Sequence, residues 1–281
     1  MIPFKIKSYA KINLALNVTG KYLKLHKIES IVSFIDLHDL IYLKLINAKE
    51  HKVIFSGKFS KNINKNNTVS NLLKLLDKKK LLKDKKFKIK VIKNIPQQAG
   101  MGGGSMNASS LMNFFIHKKL IKIKNIELLK IAKLIGSDVS LGINPANAIL
   151  TSSGKIKKYK KKIKLHTLVV KPNFGCSTRY IFSKVKFFSK SKFNAPKLSM
   201  FDQKYLKNLN NDLEIIAFKK YPKLNKIKSF LLTIPNTIFV RMSGSGSSII
   251  AYFHSKKACR IAYKEFKRKF NSYWCIESKT I

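Results

Sequence analysis

Residues 95–110 read "IPQQAGMGGGSMNASS", and four of the five positions from 100 to 104 are glycine. Such a run contributes nothing to a core. Glycine permits positive φ and removes every Cβ, so consecutive backbone N–H groups can turn inward around an anion. Upstream, "KFKIKVIKNIP" alternates like a strand and stops at Pro96; downstream, "SMNASSLMNFFIHKKLI" (105–121) has helical spacing. A helix starting near Ser105 adds its unpaired amides and the positive end of its dipole. A plain strand-to-helix turn needs only one or two glycines, so the stretch reads as a cradle for a polyphosphate. It is neither familiar nucleotide loop: Gly103-Gly104-Ser105 lacks the P-loop lysine, and Ser at 105 breaks G-x-G-x-x-G.

The surroundings are those of a folded protein. The 281 residues are 45% hydrophobic and 11% aromatic, enough for one large or two packed domains. No apolar run approaches the roughly 20 residues of a membrane helix, and the N-terminus has no secretory h-region. Cys176, Cys259 and Cys275 fit neither a disulfide framework nor a zinc signature, so a cytoplasmic protein is expected, with no membrane partner. Monomer and homodimer both stay open.

The net charge of +45 poses a choice between polyanion binding and compositional bias. Lys, Ile, Asn and Phe are all over-used, all have A/T-rich codons, and the lysines run the length of the chain, as in "KKKLLKDKKFKIKVIK" (78–93) and "KIKKYKKKIK" (155–164). They form no single stripe with interleaved aromatics. Bias is therefore the reading, with no dedicated nucleic-acid partner, although the field still draws in a polyphosphate substrate.

Further strands are expected at "YAKINLALNVTG" (9–20), at "KIESIVSFIDL" and "DLIYLKLI" joined through His38-Asp39, and at "LHTLVVK". "NTVSNLLKLLDKKKLL" (67–82) reads as a helix capped by Asn67 or Ser70, residues 125–135 as another, and 211–232 as helical with a break at Pro222. "TIFVRMSGSGSSIIAYFH" reads as strand, small-residue turn, strand, and "SKKACRIAYKEFKRKF" as a closing amphipathic helix. Strands and helices in two blocks predict an α+β fold of two lobes, residues 1–155 and 156–281, with the active site in the cleft between them.

The glycine stretch resembles the Pro-x-x-x-Gly-Leu-Gly-Gly-Gly-Ser-Ser-Asn/Asp-Ala loop of the galactokinase, homoserine kinase, mevalonate kinase and phosphomevalonate kinase superfamily. The doubled glycine is most similar to its 4-diphosphocytidyl-2-C-methyl-D-erythritol kinase branch. Here Pro96, Gln97, Gln98, Ala99, Gly100, Met101, Gly102, Gly103, Gly104, Ser105 and Met106 occupy the loop, with Met101 for Leu and Met106 for the second Ser. Three more segments follow in the same order: "YAKINL" resembles Pro-Ala-Lys-Ile/Leu-Asn-Leu, Gly136-Ser137-Asp138-Val139-Ser140 resembles Gly-Ala-Asp-Val-Pro, and Met242-Ser243-Gly244-Ser245-Gly246 resembles Met-Ser/Thr-Gly-Ser/Thr-Gly. "NDLE" (211–214) and "CST" (176–178) are weaker echoes.

The resemblance implies an ATP-dependent kinase for the 2-hydroxyl of a cytidine diphosphate sugar alcohol, a step of non-mevalonate isoprenoid synthesis. The loop would hold ATP, and Mg²⁺ would come with it, Ser105 being the hydroxyl nearest the ion. Asp138 would be the base that takes the hydroxyl proton, and Lys11 would pair with it. On residue type alone Asp138 also reads as a helix cap, Lys11 as an ordinary strand lysine and "MSGSGS" as a hairpin turn. Asn13, Ser243 and Gly244 would face the acceptor. Where the family has Asp-Gly-Tyr-His, this chain has Leu23-Lys24-Leu25-His26, so His26 is kept while Leu25 stands at the ring that stacks on cytosine. Phe182 aligns with the opposing ring, Tyr180 being the alternative.

Overall fold

In the computed structural model, residues 3–23, 25–160 and 163–281 are described. Lys24, in the His26 segment, and Lys161 and Lys162, in the second lysine run, lie outside them. The chain gathers into two compact units, each built from separated segments. The first comprises Met1–Ala10, Leu37–Pro96 and Gly102–Pro145; the second comprises Lys11–Asp36, Gln97–Met101 and Ala146–Ile281.

Two long strands, β1 (Phe4–Tyr22) and β2 (Leu25–Ile46), give residues to both units. In the first unit Leu40–Ile46 of β2 pairs antiparallel with β4 (Lys86–Ile92), and β4 pairs parallel with β3 (Lys52–Ser56). The helices α1 (Thr68–Lys78), α2 (Gly103–His117) and α3 (Asn125–Ile135) pack on that sheet. Ile41, Leu43, Leu72, Leu76, Ile89, Leu111, Phe115 and Ile131 form their common core. Burial of each such side chain supplies about 1.5–3 kcal/mol. Asn67 caps α1, its Oδ1 accepting from Val69 N at 3.1 Å and Ser70 N at 3.0 Å. One short turn of helix, α4 (Val139–Gly142), follows α3.

The second unit contains β5 (Asn147–Leu150), which pairs with Ser30–Val32 of β2 and with β6 (Ile156–Tyr159). It also contains β7 (His166–Lys171), α5 (Thr178–Ser183), α6 (Gln203–Lys207), α7 (Leu213–Lys220), α8 (Pro222–Thr233), β8 (Phe239–Met242), β9 (Ile249–Phe253), α9 (Lys256–Lys269) and β10 (Trp274–Lys279). The order β10-β7-β9-β8 makes an antiparallel sheet, covered by apolar side chains of α7, α8 and α9.

Three details differ from the sequence reading. The segments on either side of His38-Asp39 are one unbroken strand, because Asp39 is fully buried and bonded rather than exposed in a turn. The glycine helix begins at Gly103, two residues before Ser105, and ends at His117. The chain does not close on α9: β10 follows, and it completes the sheet against β7.

Candidate active site

In the first unit, β4 delivers the chain to the glycine stretch through Lys93, Asn94 and Ile95, all three held by Asp39. One carboxylate oxygen accepts from Asn94 N at 2.7 Å and Ile95 N at 2.8 Å, and the other accepts from Lys93 Nζ. Lys93 is only 4% exposed. A buried lysine needs such a partner, since an isolated ammonium there costs several kcal/mol. Gly102 enters the left-handed region at φ 63 and turns the chain into α2, which no side chain caps. The start of α2 is closely hemmed: a Cβ on Gly103 would lie 3.0 Å from Ile95 Cγ2 and 3.3 Å from Lys93 Nζ, and Thr68 Oγ1 donates to Gly104 O at 2.7 Å.

Asp138 belongs to the same unit. It stands at the N-cap position of α4, yet its side chain makes no capping hydrogen bond, so the carboxylate is not spent on the helix. Its loop runs along the start of α2: a Cβ on Gly136 would be 3.3 Å from Ser105 Oγ, and one on Gly142 2.1 Å from Ser109 Oγ. The structure thus brings Ser105 and the Asp138 loop together. Ser140, where the resemblance has proline, is buried, and its hydroxyl has no hydrogen-bond partner among the described residues. Ser140→Ala is expected to raise stability by about 1 kcal/mol in thermal or urea unfolding, because it removes an unmatched polar group.

In the second unit, β1 carries Lys11 and Asn13, each only 4% exposed. Residues 10–18 are buried on both faces of the strand, so alternation does not mark an outer side. Lys11 Nζ donates to Asn13 Oδ1 at 3.1 Å, and Lys11 N donates to Met101 O at 3.1 Å. Asn13 Nδ2 donates to Ser30 Oγ at 2.8 Å, which fixes the amide flip that points Oδ1 at the ammonium. Gly100 follows, at φ 71, so tightly placed that a Cβ would lie 1.8 Å from Ser243 O. Ser243 Oγ donates to Gly100 O at 2.9 Å and accepts from Asn13 N at 3.2 Å. Asn13, Ser243 and Gly244 are therefore assembled with Gln97–Met101, the first half of the glycine stretch.

The same unit brings His26 against Phe182, ring centroids 5.3 Å apart, with Phe188 at 6.5 Å. Tyr180 turns elsewhere, beneath the ammonium groups of Lys184 and Lys220. The sequence does not single out Phe188, because it lies in a lysine-rich loop with no motif. Desolvation, and then the charge of Lys21, holds the His26 pKa below its ordinary 6.5, which favours the neutral ring. Leu25 is 77% exposed. The three thiols are buried, and burial raises Cys176 to about 11, Cys259 to about 12 and Cys275 to about 11, so none is a nucleophile near neutrality. Among the described residues there is no cluster of three or more His, Cys, Asp or Glu that could hold a metal. No helix among them is long and apolar enough to cross a membrane.

The model of the GHMP kinases N terminal domain matches residues 67–154, which include the glycine stretch and Asp138. A 4-diphosphocytidyl-2-C-methyl-D-erythritol kinase of Pelagibacter ubique is 69% identical over 281 residues, all of both chains. The chain belongs to the 4-diphosphocytidyl-2-C-methyl-D-erythritol kinase family. The fold agrees: a crystal structure of a 4-(cytidine 5'-diphospho)-2C-methyl-D-erythritol kinase superposes with a TM-score of 0.80 at 20% identity, over 98% of this chain and 99% of the other. A homoserine kinase of Cytophaga hutchinsonii superposes with a TM-score of 0.72 at 15% identity, over 100% and 95%. Against the family pattern, a buried thioether, Met106, stands where the motif has a second hydroxyl.

Proposed function

We propose that this chain transfers the γ-phosphoryl group of ATP to the 2-hydroxyl of 4-diphosphocytidyl-2-C-methyl-D-erythritol, giving the 2-phosphate and ADP. The observation that carries this reading is 69% identity to a kinase of that name across the full length of both chains. The reaction belongs to the methylerythritol phosphate route to isoprenoid precursors, and the protein is read as cytoplasmic. Residues 1–155 are assigned to the ATP-binding lobe and 156–281 to the lobe that completes the substrate side.

Main-chain amides between Pro96 and Met106 and the uncapped start of α2 hold the triphosphate by charge-assisted hydrogen bonds. Asp138 accepts the proton of the 2-hydroxyl as the new O–P bond forms and the bond from the γ-phosphorus to the bridging oxygen breaks. Lys11 carries the compensating positive charge, its ammonium oriented by Asn13 Oδ1. Asn13, Ser243 and Gly244 orient the acceptor, while His26 reads the edge of its cytosine and Phe182 stacks on the ring. Mg²⁺, bound to the nucleotide, would neutralise phosphate charge. The ion would arrive with ATP and keep several of its waters, with Ser105 Oγ assigned as the hydroxyl near it.

Turnover of each acceptor tests the assignment. ADP should form with the cytidine diphosphate compound and not with homoserine or mevalonate; ADP formation with homoserine alone would overturn it. Leu25→Tyr restores the family's ring and is expected to lower the acceptor KM by about tenfold, a stacked base being worth about 1–3 kcal/mol. An unchanged KM would mean that Phe182 and Phe188 already supply the stacking.

A further inference from the structure

We infer that Asn211 is a positioning residue for phosphoryl transfer, acting through the turn after β8 on the carbonyls of the glycine stretch; this rests on the kinase reading above. Asn211 is 1% exposed and lies just before α7, far from the glycine stretch in sequence. Its Nδ2 donates to Met242 O and to Gly244 O, each at 2.8 Å, and its Oδ1 accepts from Leu213 N at 3.0 Å. One turn of helix later, the buried Glu214 accepts from Met242 N at 2.7 Å, while its other oxygen accepts from Lys228 Nζ at 2.5 Å, which neutralises the carboxylate. Two side chains of "NDLE" thus grip three main-chain groups at the entrance to the turn.

The turn passes this grip on. Ser243 Oγ donates to Gly100 O at 2.9 Å, Ser247 N to Gln98 O at 3.2 Å and Ser248 N to Ala99 O at 3.3 Å. Three consecutive carbonyls of the stretch are therefore fastened to a turn that is itself fastened by Asn211. Only a primary amide suits the position. Both of its hydrogens are used on carbonyl oxygens, so a carboxylate would put negative charge against two acceptors, and alanine would leave both unpaired in a buried place. A displacement of about 1 Å in such a support can cost about 10²-fold in rate without any contact to the reacting atoms.

The test uses Asn211→Asp and Asn211→Ala in the full chain, with Ser243→Ala as the partner for a double-mutant cycle. Steady-state kinetics, calorimetric titration with a non-hydrolysable ATP analogue, and hydrogen exchange of peptides covering 97–101 and 242–248 are read together. Either Asn211 variant should weaken the analogue and raise the ATP KM by about tenfold, with kcat lowered by about tenfold or more. Exchange should accelerate in those two peptides while the rest of the chain keeps its protection. On a Ser243→Ala background the same change should cost less than it does in the wild type, because one of the three bonds that carry the link is already gone. Analogue affinity within about twofold of wild type, or exchange raised evenly across the chain, or full additivity with Ser243→Ala, would overturn the inference. If Asn211→Asp fails to fold, Asn211→Ala supplies all these readouts. A wild-type protein that turns over no acceptor would defeat the kinase reading, while analogue binding and exchange would still decide the role of Asn211.

Discussion

Asp138→Asn is expected to lower kcat by about 10²–10⁴-fold, the usual worth of a positioned general base, while the affinity for a non-hydrolysable ATP analogue changes by less than about threefold. Two observations separate the chemical from the structural consequences. The Asp138 side chain does not cap α4, so the isosteric amide takes away no helix support. The tight approach that holds the loop belongs to its glycine neighbours, Gly136 against Ser105 and Gly142 against Ser109. Pre-steady-state quench of ADP formation is the direct check, because it reports the chemical step even if product release limits turnover. An undiminished burst rate in Asp138→Asn would remove the base from the mechanism.

Gly100→Ala should be the most damaging substitution in the glycine stretch. At φ 71 an L side chain is already strained by about 1–2 kcal/mol. The new Cβ would lie 1.8 Å from Ser243 O and 2.7 Å from Ser243 C, both main-chain atoms that no rotamer change can move. Relief requires parting Gln97–Met101 from the turn after β8, which breaks the Ser243 Oγ bond to Gly100 O. Destabilisation of about 3–5 kcal/mol is expected, together with loss of analogue binding by about 10²-fold or more. Gly154→Ala is the matched control: its φ is 79, but a Cβ there would meet nothing within 4 Å. It should cost only the conformational strain, about 1–2 kcal/mol, and leave kinetics unchanged. Equal losses from the two substitutions, measured by urea unfolding, would show that close approach is not what selects glycine at position 100.

The features legible in the sequence are those where chemistry restricts the residue type. The glycine run stands out because no core or solvent face calls for it, whereas Lys11 and Asp138 read on residue type alone as a strand lysine and a helix cap and are lifted only by the motifs around them. Positions defined by distant partners are harder to read. Asp39 looks like a turn residue beside His38, and nothing local shows that it collects Lys93 and two amides across a sheet. Lys93 itself is hidden among 58 basic residues. Asn211 and Glu214 lie in a weak motif whose purpose becomes visible only when β8 is brought beside it. The unbroken β2 was obscured by its polar centre, because a buried and fully bonded aspartate is spelled the same way as a solvated one. β10 is not legible, because a short strand after an amphipathic helix carries too few alternations to be distinguished from a tail.

The most direct test follows the γ-phosphoryl group itself. Purified protein is incubated with γ-labelled ATP and 4-diphosphocytidyl-2-C-methyl-D-erythritol, and the product is resolved by phosphorus–proton correlation NMR. Label bound through oxygen at carbon 2 of the erythritol, in one-to-one yield with ADP, is the predicted result. Label released as inorganic phosphate, or found on any other hydroxyl, would contradict the account.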